Sequence, residues 1–140
     1  MHLKIIMTFP DIFQVEDDDD FAFFMTCAIS QLDKSLSIRI TTNANDAMKA
    51  LKQYSEADSK PKLMLLDIDL PGISGIELLK KIREMRHFDN VPIVVFSTSD
   101  NPKDSKTSME WGASAYRIKP IGYTKLVDCL RTITNEWLLN

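Results

Sequence analysis

"LMLLDIDLPG", residues 63–72, closes an almost unbroken apolar run with two aspartates one residue apart, then a Pro-Gly turn. With Lys62 in front, "KLMLLD" (62–67) lacks the alternation of a half-buried strand. Continuous apolarity is the pattern of a strand covered on both faces of a parallel sheet. Asp67 then stands at the carboxyl end of that strand and Asp69 in the turn after it. Two carboxylates so placed cannot share one task. Whether Asp67 carries chemistry depends on what the rest of the chain brings to the same rim.

Toward the N-terminus, "SEADSKP" (55–61) reads as a polar loop ending in a breaker. "NANDAMKALKQY" (43–54) reads as a helix capped by Asn43 or Asn45. "SIRIT" (37–41) and "DIFQV" (11–15) read as strands. After the latter comes "EDDDD" (16–20), then a helix in which Phe21, Phe24, Met25, Ala28, Ile29 and Leu32 form an apolar stripe. The acids fall at its N-terminal end, where the helix dipole favours negative charge. Toward the C-terminus, Ser74 precedes Glu77 by three residues, a capping box that opens "GIELLKKIREMRHF" (75–88). "VPIVVFS" (91–97) is a fourth, continuously apolar strand. "DNPKDSKTSMEWG" (100–112) is a shorter helix with Pro102 in its first turn and Gly112 at its end. "ASAYRIK" (113–119) is a fifth strand and "YTKLVDCLRTITNEWLL" (123–139) a last helix.

Five strand–helix alternations predict an α/β domain, a doubly wound parallel sheet with helices on both faces. The domain takes residues 11–140. Residues 1–10 are an N-terminal extension: a disordered segment, an early start to the first strand, or an added edge.

The 140 residues suit one domain with one ordinary core. A net charge of −3 gives no support to nucleic-acid binding. No apolar run approaches the roughly 20 residues that span a bilayer, and no leader is visible. The two cysteines, Cys27 and Cys129, lack metal-ligand spacing and read as small core hydrophobes in a reducing compartment. The expected location is cytoplasmic.

In a sheet of this kind, ligands bind beyond the carboxyl ends of the strands. The residues there are Glu16 and Asp17, then Asp67, then Ser97 and Thr98, then Lys119. Three clustered carboxylates require a cation. Oxygen donors without His or Cys suit Mg²⁺, Mn²⁺ or Ca²⁺. A hydroxyl and an ammonium opposite them would complete a phosphoryl site, and an Asp carboxylate is an established phosphoryl acceptor. Asp67 is the natural candidate.

The set "VEDDDD", "LMLLDIDLPGISGIELLKKIR", "VVFSTSD" and "GASAYRIKP" resembles the receiver domain of two-component response regulators, chemotaxis-regulator-like, over about 130 residues. The spacings agree: thirty residues from Asp67 to Ser97, twenty-two from Ser97 to Lys119. The resemblance implies a flavodoxin-like (βα)5 fold with strand order 2-1-3-4-5. It makes Asp67 the phosphoacceptor and Glu16 and Asp17 the acidic pair for Mg²⁺, with Asp67 itself and the backbone carbonyl of Asp69 as further ligands. Ser97, beside Thr98, resembles the hydroxyl that bonds the phosphoryl group, Lys119 its lysine partner, and Tyr116 the aromatic switch. Pro120 follows Lys119 through a bond that is typically cis in the family. Asp17/Asp18 is the alternative acidic pair; Glu16/Asp17 is preferred because Phe21, Phe24 and Met25 then take core positions. The implied partners are a histidine kinase or histidine phosphotransfer protein and a downstream protein. The latter docks on the face of the fourth helix, fifth strand and fifth helix; homodimerisation stays open. No output domain follows the last helix, so a single-domain regulator is expected, with no nucleic-acid or membrane partner. It would show only self-phosphotransfer and slow autodephosphorylation.

Two rivals stand beside this. "LLDIDLPG" also resembles the D-x-D motif of haloacid-dehalogenase-type phosphatases, with Asp67 as nucleophile and Asp69 as acid/base; that family places its metal acids after the motif, not before. A degenerate receiver would bind partners without phosphorylation. The blander reading makes Asp18, Asp19 and Asp20 a solvated helix start, and Trp111 and Trp137 packing aromatics.

Overall fold

The computed structural model describes residues 9–138. The readings of the N-terminal extension therefore fall outside the described residues, except at Phe9 and Pro10. The Phe9 ring lies 4.7 Å from that of Tyr54, and the Tyr54 hydroxyl donates to the Pro10 carbonyl at 2.9 Å.

The strands are β1 (Ile12–Val15), β2 (Ile38–Thr41), β3 (Leu63–Leu66), β4 (Ile93–Ser97) and β5 (Ala115–Ile118). They form one parallel sheet in the order β2-β1-β3-β4-β5, as expected. Alternating with them are α1 (Asp19–Leu32), α2 (Ala44–Glu56), α3 (Gly75–Glu84), α4 (Pro102–Glu110) and α5 (Tyr123–Trp137). The apolar run at 63–66 serves both faces in turn, because successive side chains on a strand point opposite ways. Met64 and Leu66 join Phe13, Val15, Ile93 and Val95 against Leu51 and Tyr54 of α2 and Leu78 and Ile82 of α3. Leu63 and Leu65 join Ile12, Val94 and Phe96 against Met25 and Ile29 of α1 and Leu126 and Leu130 of α5. Each large side chain so buried contributes about 1.5–3 kcal/mol. The three central strands are thereby fixed from both sides, which makes their carboxyl ends a rigid platform.

Several local expectations change. Helix α2 runs on through Ser55 and Glu56, and Asp58 turns the chain with a φ of +52°. Helix α3 stops at Glu84, and Arg86–Phe88 forms a single 3₁₀ turn that delivers Phe88 fully into the α2–α3 core. Phe24 leaves the expected stripe of α1: it is 46% exposed, its ring 6.3 Å from that of Tyr123. The cysteines are free, half-buried and on different helices rather than fully in the core. Trp111 is 47% exposed and lies under Lys80 Nζ at 4.1 Å, so its ring packs against a cation rather than into the interior. All peptide bonds among the described residues are trans, including Lys119–Pro120, against the cis bond implied by resemblance. Trans is the lower-energy form of an X–Pro bond by about 0.5–1 kcal/mol. Among the described residues no helix is long and apolar enough to cross a membrane.

Candidate functional site

Glu16, Asp67 and Lys119 each stand one residue past a strand, held by one further ladder bond. Glu16 N–H donates to the Thr41 carbonyl (2.9 Å), Asp67 N–H to the Val15 carbonyl (3.2 Å) and Lys119 N–H to the Ser97 carbonyl (2.7 Å). Their positions therefore inherit the rigidity of the sheet. Strands β1 and β3 are neighbours at the point where the winding reverses, so the acids after β1 meet the acid after β3.

Carboxylate oxygens of Glu16, Asp17 and Asp67 lie within 4.8 Å of one another. Lys119 Nζ bridges two of them, 2.5 Å from Glu16 Oε2 and 2.8 Å from Asp67 Oδ2. These three side chains are almost closed off, at 8% exposure for Lys119, 1% for Glu16 and 6% for Asp67. Asp17 is exposed and forms the open side of the cluster. The second oxygen of each buried acid takes a backbone donor: Glu16 Oε1 accepts Asp18 N–H at 3.1 Å, and Asp67 Oδ1 accepts Asp69 N–H at 3.0 Å. A carboxylate oxygen has two lone pairs, so Asp67 keeps an unshared pair on each oxygen.

Asp18 is spent elsewhere. Its Oδ1 accepts the N–H groups of Asp20 and Phe21, which makes it the N-cap of α1. The cluster thus contains Glu16 and Asp17, though the exposure of Phe24 removes part of the reason for preferring that pair. Asp69 presents its side chain to solvent.

Burial pushes the Glu16 carboxyl up from its ordinary range, against the opposing hydrogen bond and charge of Lys119. For Lys119, burial pulls the other way, but the hydrogen bonds it donates to Asp67 and Glu16 and the charges of those carboxylates outweigh it. The ammonium is held above its ordinary value. The Phe21 ring, 4.5 Å from Nζ, covers the ammonium with the negative face of its π-system. Three carboxylates against one ammonium leave a negative site of oxygen donors without His or Cys. That donor set fits a hard divalent cation such as Mg²⁺.

On the far side, Ser97 is fully buried and its Oγ accepts Ser99 N–H at 3.2 Å, which leaves its own proton free to donate. Thr98 points outward and is exposed. Tyr116 is half-buried and its hydroxyl donates to the Ser99 carbonyl at 2.8 Å. Pro120 lines a small apolar groove of about 220 Å³ with Phe21, Phe24, Tyr123 and Leu126. The fold thus brings together Glu16, Asp17, Asp67 and Lys119, sets Ser97 at the end of β4 and Tyr116 on β5 with its hydroxyl bonded to the β4–α4 connection, and leaves Thr98 and the Asp69 side chain outside.

Two contributors escaped the sequence reading. A Cβ on Gly75 would stand 2.0 Å from the Asp67 carbonyl oxygen and 2.4 Å from Ile68 Cα, so only glycine lets α3 start this close to the Asp67 backbone. Ser99 holds both Ser97 and Tyr116. The Gly75 approach and the Tyr116–Ser99 bond have no local sequence signal, because each joins residues from separate elements.

The chain matches the family model for the response regulator receiver domain over residues 12–131. Among curated proteins, it is 27% identical over 128 residues to a probable methanogenesis regulatory protein, FilR2, of Methanothrix harundinacea. That match covers 91% of this chain and 83% of the relative. It is 32% identical over 123 residues to the response regulator protein GraR of Staphylococcus saprophyticus, covering 88% of this chain but 50% of that protein. Among solved structures, it resembles the phosphorylated cyanobacterial phytochrome response regulator RcpA, with a TM-score of 0.83, 29% identity, and coverage of 94% of this chain and 95% of that one. A second neighbour is the Mn²⁺-bound form of response regulator Rcp1, with a TM-score of 0.78, 27% identity, and coverage of 92% and 95%. Neither these matches nor the exposed Asp69 side chain supports the phosphatase alternative. From its family match and its five-stranded fold, the chain belongs to the response regulator receiver domain family of two-component signalling.

Proposed function

We propose that Asp67 accepts a phosphoryl group from the phosphohistidine of a histidine kinase or histidine phosphotransfer protein. The phosphorylated chain then signals by docking a downstream protein or passes the group along a relay. The observation that carries this is the buried Asp67 carboxylate, bonded through one oxygen to Lys119 Nζ at 2.8 Å, beside the carboxylates of Glu16 and Asp17.

In the transfer, an Asp67 oxygen forms the new O–P bond as the donor's N–P bond breaks, and the leaving imidazole keeps the bonding pair. Lys119 follows the developing charge onto a phosphoryl oxygen, already oriented by its bond to Asp67. Ser97 turns its free proton toward another. Glu16 and Asp17, with the Asp69 carbonyl, would hold Mg²⁺, which when bound neutralises charge on the phosphoryl oxygens. An acyl phosphate formed there adds charge and acceptor oxygens that favour a moved Ser97 and Tyr116. The face of α4, β5 and α5 is the proposed docking surface; Met109, Ile118 and Tyr123 are exposed apolar residues of these elements.

The test is incubation of the whole chain with Mg²⁺ and a small-molecule phosphodonor, then with candidate kinases, read by intact mass and acid-stable versus alkali-labile label. One alkali-labile phosphoryl group is expected on the wild-type chain and none on Asp67→Asn. Label that survives that substitution, or a wild-type chain that never takes label, refutes the proposal.

A further inference from the structure

We propose that Ser99, acting with Asp104, is a positioning residue that couples the site hydroxyl of Ser97 to helix α4; this rests on Asp67 being a phosphoacceptor. Every polar group of Ser99 is engaged, and each bond leads to a different part of the proposed switch. Its N–H donates to Ser97 Oγ at 3.2 Å. Its carbonyl accepts the Tyr116 hydroxyl at 2.8 Å. Its own hydroxyl donates to Asp104 Oδ2 at 2.6 Å and accepts Asn101 N–H at 3.3 Å. One residue thus ties the phosphoryl-facing hydroxyl, the half-buried tyrosine and the first turn of α4.

The bond to Asp104 is a short hydroxyl–carboxylate contact, the charge-assisted kind that is about twice as strong as a neutral one. Helix α4 has little else to hold it. Ser108 is its one buried residue, and the Ser108 hydroxyl bonds back to the Asp104 carbonyl at 2.7 Å. Helices α2, α3 and α5 each bury several side chains. An element with few apolar anchors is set in place by polar contacts and shifts most readily when those change. When Ser97 Oγ turns to a phosphoryl oxygen, its bond to Ser99 N–H is strained or lost. Ser99 transmits the displacement to α4 through Asp104 and to β5 through Tyr116. Neither Ser99 nor Asp104 touches the reacting atoms.

The protein carries its own reporter. Trp111 is the C-cap of α4, with Lys80 Nζ 4.1 Å above its ring. Its indole N–H cross-peak, identified by loss in Trp111→Phe, should move when beryllofluoride and Mg²⁺ are added to the full chain. In Ser99→Ala and in Asp104→Ala that movement is expected to fall by at least about half, with no further fall in the double variant, the mark of residues acting as one unit. Beryllofluoride affinity should change less than about threefold. Ser99→Thr, which keeps the hydroxyl, should restore the movement, and thermal unfolding of each variant shows that it is folded. A Trp111 response that is absent in the wild type although the probe binds, unchanged in either alanine variant, or lost additively in the double variant overturns the coupling alone. A wild-type chain that fails to bind beryllofluoride overturns the phosphoacceptor reading and the coupling with it.

Discussion

Replacing Gly75 with alanine sets two physical effects against each other. Gly75 is the first residue of α3, after the Ser74 cap, and its N–H donates to the Ile68 carbonyl at 2.9 Å. On helix propensity alone, Gly→Ala in a helix stabilises by up to about 1 kcal/mol. The added methyl, however, would lie 2.0 Å from the Asp67 carbonyl oxygen, 2.4 Å from Ile68 Cα and 2.7 Å from the Asp67 carbonyl carbon. These are backbone atoms, so no rotamer change relieves the contact. The start of α3 and the loop after β3 must part by more than about 1 Å to reach ordinary van der Waals separation. Overpacking of this kind costs about 1–3 kcal/mol and exceeds the propensity gain. The displacement falls on the backbone of Asp67, the proposed acceptor, where a shift near 1 Å costs roughly 100-fold in a reaction that depends on positioning. Gly75→Ala should therefore unfold at lower urea with an unchanged slope, and its phosphorylation by a small-molecule donor should slow by one to two orders of magnitude. Gly72→Ala is the control: nothing lies within 4 Å of its Cβ, but its φ of +81° imposes a backbone strain of about 1–2 kcal/mol. That variant should lose stability and keep its phosphorylation rate. A Gly75→Ala chain as stable as the wild type, or one phosphorylated at the wild-type rate, would refute the reasoning.

Lys119→Met leaves Glu16 and Asp67 buried without their cation, a loss of about 3–5 kcal/mol at neutral pH, and added Mg²⁺ should recover part of it; urea titrations in EDTA and in Mg²⁺ measure both. Burial raises the Tyr54 phenol to about 12 from 10.0. Above pH 10 the unfolded chain loses this proton and the folded chain retains it, so stability falls as pH rises from 10 to 12, by up to about 3 kcal/mol from this group. Tyr54→Phe should remove that part of the alkaline slope; an identical slope in wild type and variant sinks the assignment. Asp18→Ala should cost about 0.5–2 kcal/mol through the lost cap of α1, with Mg²⁺ affinity, read by competition with Mn²⁺, little changed. A large loss of metal affinity instead would return Asp18 to the metal set.

The architecture was legible in the chain because each strand and helix announces itself locally. Unbroken apolar runs at 63–66 and 93–96 mark strands covered on both faces, and Ser74 and Pro102 mark helix starts at the positions the structure uses. The residues just past the strands were legible for the same reason: once the strands are placed, Glu16, Asp67 and Lys119 are the next side chains, all three ionisable. Tertiary structure decided the rest. It spends Asp18 on a helix cap and leaves Glu16 and Asp17 in the cluster, which depends on where α1 begins relative to the strand beside it. It leaves Phe24 half exposed beside Tyr123 of α5 rather than in the core. It makes Gly75 indispensable and Ser99 a junction, through contacts between segments distant or unpatterned in sequence. Periodicity and end signals are properties of short stretches, and sequence carries them directly. Which carboxylate takes the lysine, and which backbone must yield space, is settled by distances between elements that only packing brings into reach.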